Sequence, residues 1–393
     1  MRPVAAVPPR GETPIVSDTY FSPEHTLLRQ TFRHFVETEI IPFVDDWEEA
    51  GVFPRDLYGK AAGIGLLNLG YPEEYGGIPA DLLAQVVAWE ELARAGSGGL
   101  GASLGSLHIA LPPIVKHGTA EQKARFLPGA LAGERIAALA VTEPGGGSDV
   151  AGITTRARRD GDVFVVDGAK TFITSGVRAD QFTVAVRTGD PGHRGISVLV
   201  IEADTPGFTR SGPLKKMGWW ASDTAELFFD GCRVPASNLI GVPGGGFRLI
   251  MENFQVERLQ MAVVANVTAE LALAASLNHA SARHTFGEPL AARQVIRHKL
   301  VDMATKLEIS RQYTYSVADR LNRGEVQVKE VSMAKLFATE TSDFITDAAV
   351  QIFGGFGYMR EYLVERLYRD NRVLSIGGGT TEIMKEIIAK HIL

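Results

Sequence analysis

The chain has 393 residues, enough for two or three domains with cores of their own, which excludes a stapled miniprotein. Hydrophobic residues make up 45% and charged residues 22%, a globular composition that excludes a chain dominated by disorder. Lys and Arg number 40 against 46 Asp and Glu, a net charge of −6, and no clustered basic run offers itself to nucleic acid.

A single cysteine, Cys232, allows no intrachain disulfide and suits a reducing compartment. The nine histidines include no pair at three- or four-residue spacing, and HExxH and CxxC are absent, so a metal site of local ligands is not expected. No apolar run approaches the roughly 20 residues of a membrane span. The opening stretch lacks the charged-then-apolar pattern of a secretory signal and any transit-like leader, so the expected location is bacterial cytoplasm.

Residues 1–20, with Pro3, Pro8, Pro9 and Pro14, read as an irregular arm. Structure is predicted to start at Ser22-Pro23-Glu24, where serine caps free N–H groups, proline suits the first helical position and the acid complements the dipole. Leu28, Phe32, Phe35 and Val36 then recur at helical spacing, as do Leu82, Val86, Trp89 and Ala93 after a cap at Asp81. Residues 96–101 fit GxGxxG and 101–105 fit GxSxG. The first needs a preceding strand and the second a strand-to-helix elbow, so both read as a glycine-rich turn between helices.

Near Ala140 the pattern changes. Asp162 to Val166, Phe182 to Val186, Ile196 to Ile201 and Ala225 to Phe229 are short β-branched and aromatic runs, flanked by turns such as Asp160-Gly161 and Asp167-Gly168. They predict an antiparallel β domain. After Gly244-Gly245-Gly246 the helical period returns through Ile296, Leu300, Met303 and Leu307, then Ile345, Ala348 and Ile352. The Trp219-Trp220 pair reads as core or interface.

The chemistry concentrates at the junctions. Thr142 to Asp149 reads TEPGGGSD, whose glycines let backbone N–H groups approach a ligand. Lys170 to Thr174 reads KTFIT. Arg283, Phe286, Gly287, Leu290 and Gln294 match R-x-x-FG-x-x-L-x-x-x-Q, followed by Gln351 to Tyr358 (QIFGGFGY) and Gly379 to Ile383 (GTTEI). With these five motifs in order, the chain resembles the acyl-CoA dehydrogenase family of flavoproteins over nearly its whole length.

The resemblance implies a mainly α fold with a central β domain. An N-terminal helical domain (21–138), a middle β domain (139–248) and a C-terminal four-helix bundle (249–393) would form a homotetramer with one FAD per subunit. Leu139, Val141, Thr142, Gly147 and Ser148, with Phe172, Ile173 and Thr174, would line the flavin, Ser148 also touching the thioester ligand. Arg283, Phe286 and Gln294, with Gln351, Ile352, Phe353, Gly354 and Gly355, would hold the pyrophosphate and adenine end across a subunit boundary. Thr380, Thr381 and Glu382 would complete the FAD contacts. The reaction implied is α,β-dehydrogenation of a fatty acyl-CoA to trans-2-enoyl-CoA, by α-proton abstraction and β-hydride transfer to flavin N5. Electrons would pass to electron-transferring flavoprotein. The alternatives are an oxygen-using flavin oxidase or monooxygenase on the same scaffold, and a non-catalytic family subunit.

Many members carry the catalytic base as a Glu immediately before the C-terminal Gly-Thr pair. Here that position is Gly378, which accepts no proton. The long-chain and isovaleryl types place the base at the start of a C-terminal-domain helix, in a segment reading ERL, and residues 257–259 read so here. Glu257 is therefore the expected base, with Gln255, Val256, Arg258, Gly378 and Gly379 on the substrate. Arg258 would anchor the CoA end or the helix start, or form an ion pair, and the N–H near Gly378 would bond the thioester carbonyl.

Overall fold

The computed structural model describes residues 19–393, so the expected irregular arm lies, apart from Thr19 and Tyr20, outside the described residues. The first helix runs Pro23–Phe35 behind Ser22, whose hydroxyl and backbone N–H exchange hydrogen bonds with His25. The Leu82–Ala93 helix is capped by Asp81, which accepts from Ala84 N at 2.8 Å and also meets His25 Nε2 at 3.0 Å. One carboxylate thus ties two helix starts together. Arg29 then pairs with buried Glu90 and Glu91, so charges on the second helix are compensated inside the domain.

The GxGxxG stretch is the turn into a short helix, Gly98–Leu104, capped by Ser97. Ser103 of GxSxG is buried on that helix with its hydroxyl 2.8 Å from Ser222 Oγ. It stands on no strand and serves packing.

The middle domain is an eight-stranded sheet. In chain order the strands are β1 (Ala137–Ala140), β2 (Arg156–Asp160), β3 (Val163–Thr174), β4 (Gln181–Arg187), β5 (Ile196–Glu202), β6 (Phe208–Arg210), β7 (Thr224–Pro235) and β8 (Leu239–Ile240). They lie in the order β6-β7-β3-β2-β4-β5-β8, with β1 beside β4. The sheet is antiparallel as expected except at two places: β1 runs parallel to β4, and β2 meets β4 in one parallel pair. The 40 residues between β1 and β4 include the β2–β3 hairpin, so β4 can return alongside β1 in the same direction.

Helices Gly246–Ala282, Gln294–Asn322, Val328–Phe353 and Thr381–Ile392 pack as the C-terminal bundle. The first is apolar and long enough to cross a membrane by length and composition, which corrects the reading that no segment qualifies. Its apolar residues are largely buried in the protein. One core runs through the first helical domain and the sheet. A second joins Leu83, Val86 and Trp89 to Leu259, Ala262 and Val263, fixing the long helix against the first domain.

Lys170 of β3 is fully buried and donates to Val141 O at 2.9 Å and Glu143 Oε1 at 2.8 Å. The Glu143 carboxylate also accepts from Thr154 N, Thr154 Oγ1 and Thr155 N. These donors, chiefly the Lys170 ammonium, outweigh burial and hold Glu143 down at about 2. The TEPGGGSD loop is therefore clamped at its second residue. Removing one member of a buried pair leaves the other uncompensated, at a cost of about 3 kcal/mol or more. Glu143→Ala is expected to lower the thermal midpoint by several degrees at pH 7 in scanning calorimetry, and an unchanged midpoint would refute the clamp.

Candidate active site

A cavity of about 1220 Å³ opens where the three domains meet. Glu257 stands in its wall, not at a helix start as expected but eleven residues after Gly246, because the helix already begins at the glycine run. Its Oε2 is buried without a hydrogen-bond partner among the described residues. Burial pushes the carboxyl up to about 7, while the Arg258 and Lys335 charges pull the other way.

Gly378 faces this carboxylate. A Cβ built there would stand 2.6 Å from Met261 Sδ and 3.7 Å from Glu257 Oε1, and its φ of +62° disfavours any side chain. Positions 257 and 378 thus project toward the same space. The loop that carries Gly378 is held by two cations: Arg258 Nε donates to Gly378 O at 3.0 Å, and Lys335 Nζ donates to Gly379 O at 2.7 Å. Burial lowers Lys335 to about 8.

Not every expected substrate contact is brought to the cavity. Arg258 reaches its wall, but its side chain turns inward to the Gly378 carbonyl, where it holds the loop. Val256 packs against the second core, and Gln255 bonds back to Met251 O on its own helix. Neither lines the cavity, whereas Phe254, Met261 and Val264 do. The reason is periodicity: residues three, four and seven positions from Glu257 share its face, and the two positions before it do not.

The opposite wall comes from the β domain. Leu139, Val141, Thr142, Gly147 and Ser148 line it, as do Phe172, Ile173 and Thr174. Between Lys170 and Ile173 the β3–β7 register slips, and Phe172 sits in that bulge at φ +59° with its ring 70% exposed. The hydroxyls of Thr142, Ser148 and Thr174 are absent from the hydrogen-bond network of the described residues, in contrast with Thr154 and Thr155 nearby. A bare aromatic face and unengaged hydroxyls on a glycine-rich loop fit a planar ligand with polar edges, which a flavin ring is. Thr380 caps the last helix and lines the cavity; Thr381 and exposed Glu382 lie in its first turn, outside that lining.

The remaining cofactor motifs gather elsewhere. Arg283, Ile352, Phe353, Gly354 and Gly355 line a separate hollow of about 460 Å³. Phe286 stands beside it, 97% exposed at φ +52°, in the turn between His284–Thr285 and Glu288–Pro289, and Gln294 and Gln351 are exposed on their helices. Arg283 follows Glu257 by 26 residues on one continuous helix, about 39 Å at 1.5 Å per residue.

Some residues in or behind the cavity wall had no motif to announce them. Trp219, expected in core or interface, lines the cavity; its φ is +56°, and its backbone N–H donates to buried Asp370 Oδ1 at 2.6 Å. Trp220 stacks under the guanidinium groups of Arg360 and Arg369, at 4.2 and 3.6 Å from its ring centre. Lys335 gave one faint signal, a lone lysine among the apolar positions of its helix.

Three family models match successive parts of the chain: the acyl-CoA dehydrogenase N-terminal domain over residues 22–134, middle domain over 138–232 and C-terminal domain over 244–393. The long-chain specific acyl-CoA dehydrogenase of Rattus norvegicus mitochondria is 40% identical, with 95% of this chain and 87% of the relative covered. An acyl-CoA dehydrogenase of Bacillus subtilis is also 40% identical, with 94% and 98% covered. The crystal structure of an acyl-CoA dehydrogenase from Geobacillus kaustophilus superposes with a TM-score of 0.91 at 44% identity, over 95% of this chain and 99% of that one. The chain belongs to the acyl-CoA dehydrogenase family, and is an FAD-dependent oxidoreductase of acyl-CoA in fatty acid β-oxidation.

Proposed function

We propose that this enzyme converts a fatty acyl-CoA to the trans-2-enoyl-CoA with Glu257 as the base, and that its electrons leave to electron-transferring flavoprotein. The observation that carries the reading is the Glu257 carboxyl itself: buried, with Oε2 unpartnered, facing the Gly378 loop across a cavity that the β-domain loop closes on the other side. A carboxylate relieved of water binds a proton more tightly, which brings its strength nearer to that of a thioester α-carbon.

In this reading Glu257 takes the α-proton while the hydrogen on the β-carbon departs with its electron pair. Bound FAD supplies the acceptor for that pair. The backbone N–H near Gly378 donates to the thioester carbonyl, and a preorganised donor of this kind is worth about 2.7 to 4 kcal/mol in the transition state. Arg258 and Lys335 keep that donor in place by fixing the two neighbouring carbonyls. Leu139, Val141, Thr142, Gly147, Ser148 and Phe172 to Thr174 would hold the ring end of FAD, and Thr380 to Glu382 adjoin it. Arg283, Phe286, Gln294 and Gln351 to Gly355 would grip the diphosphate of a second subunit's FAD in a homotetramer, the assembly typical of the family. The separation along the long helix supports this division.

Mixed anaerobically with a panel of acyl-CoA thioesters, the holoenzyme is expected to lose its flavin absorbance, and Glu257→Gln to do so about 10² to 10⁴ times more slowly. Equal rates would exclude Glu257 as the base. The base works deprotonated, so with limiting substrate the parent's reduction rate should climb as pH rises through about 7 and level off above it. A rate already level at pH 5 to 6 would refute that. Reoxidation of the reduced enzyme should be faster with electron-transferring flavoprotein than with air.

Lys335→Met removes one clamp and also one of the charges that pull Glu257 down, so its rate is compared with the parent's above the pH at which each levels off. The expected outcome is a kcat at least about tenfold lower with a flavin spectrum like the parent's, since the loss falls on donor placement. An unaltered kcat would remove Lys335 from the positioning role.

A further inference from the structure

The same wall carries a second set of polar atoms that the dehydrogenation does not use. Gln260 lies three residues beyond Glu257 on the same helix face, about 4.5 Å further along the axis. It lines the cavity, and its amide appears in no hydrogen bond among the described residues. His108 faces it across Gly105. The His108 ring (Cδ2) and Gln260 Nε2 lie 3.6 and 3.8 Å from the point where a Gly105 side chain would begin. Thr268, deeper on the helix, is already satisfied by Val264 O.

The chemistry of the pair is defined by its surroundings. Tyr71 stacks on the His108 ring at 5.9 Å; its hydroxyl donates to Leu107 O and meets His108 Nδ1 at 3.4 Å. The Tyr71 hydroxyl engages Nδ1, and Nε2 has no hydrogen-bond partner among the described residues. Burial holds the ring neutral, down at about 4. The site therefore offers an imidazole nitrogen on His108 and, on Gln260, an amide that both donates and accepts. A hydroxyl matches it, donating to one and accepting from the other.

We infer that His108 and Gln260 recognise a hydroxyl carried on the acyl chain a few carbons beyond the reacting pair, so that hydroxylated acyl-CoA thioesters are favoured over plain ones. The inference rests on the proposed function, because Glu257 marks where the α-carbon stands. Leu92 and Ile109 also line the cavity, so an unsubstituted chain would fit by volume. It would leave two polar groups shut away from water, and sites built to bond a hydroxyl reject the analogue lacking it.

The test compares kcat/KM for straight-chain acyl-CoA thioesters of one length, plain or with a single hydroxyl at each carbon from the fifth to the last. For at least one position the hydroxylated thioester is expected to be about tenfold or more the better substrate. Gln260→Leu should bring that ratio down toward one. Gly105→Ala, which keeps both polar side chains and fills the point between them, should do the same. A ratio at or below one for every position, or a ratio that both variants retain, would overturn the inference. Failure of the base assignment shows separately, as unimpaired flavin reduction in Glu257→Gln.

Discussion

Two buried cations on two helices each hold one carbonyl of a single glycine loop, and the geometry of the cavity depends on that pair of contacts. Arg258 fixes Gly378 and Lys335 fixes Gly379. Without them a segment of consecutive glycines, Gly377 to Gly379, would have many conformations and no reason to prefer the one that turns position 378 toward Glu257. The same cations bear on Glu257 electrostatically, tempering the effect of its burial. Loop order and base strength therefore share one cause, and neither can be altered alone.

The arrangement also accounts for glycine at 378, the position where the family resemblance would place a base in many members. A side chain at 378 would enter the space of Met261 and come into van der Waals contact with Glu257 Oε1, on a backbone of positive φ. One carboxylate fits there, supplied from either wall. With the acid on the long helix, the facing position is left to a residue that contributes backbone alone. The β-domain wall is built with equal economy of parts: the Lys170 and Glu143 pair pins the glycine loop, and a bulge two residues after Lys170 swings Phe172 into the open.

Much of this was legible in the residues. Ser22 and Asp81 cap helices as their types predict, because capping is a contact within three residues. The TEPGGGSD and KTFIT segments fall on one wall of one cavity, and the ERL glutamate reaches the same cavity. The misplaced expectations share a physical origin. Gln255 and Val256 sit beside Glu257 in the chain yet on other faces of its helix. Arg258, expected at the CoA end, at the helix start or in an ion pair, instead holds a carbonyl 120 residues away.

What the sequence determined by itself was whatever local chemistry enforces: the caps, the change from helical to strand period and back, the glycine loops, and the choice of a carboxylate at 257 over 378. Tertiary structure decided what depends on distant segments meeting. It ran β1 parallel to β4, set Trp219 in the cavity wall, brought His108 opposite Gln260, and separated Arg283 from Glu257 along one helix. Contacts of that kind depend on how faces pack, and packing is a property of three-dimensional closeness that linear spacing does not encode.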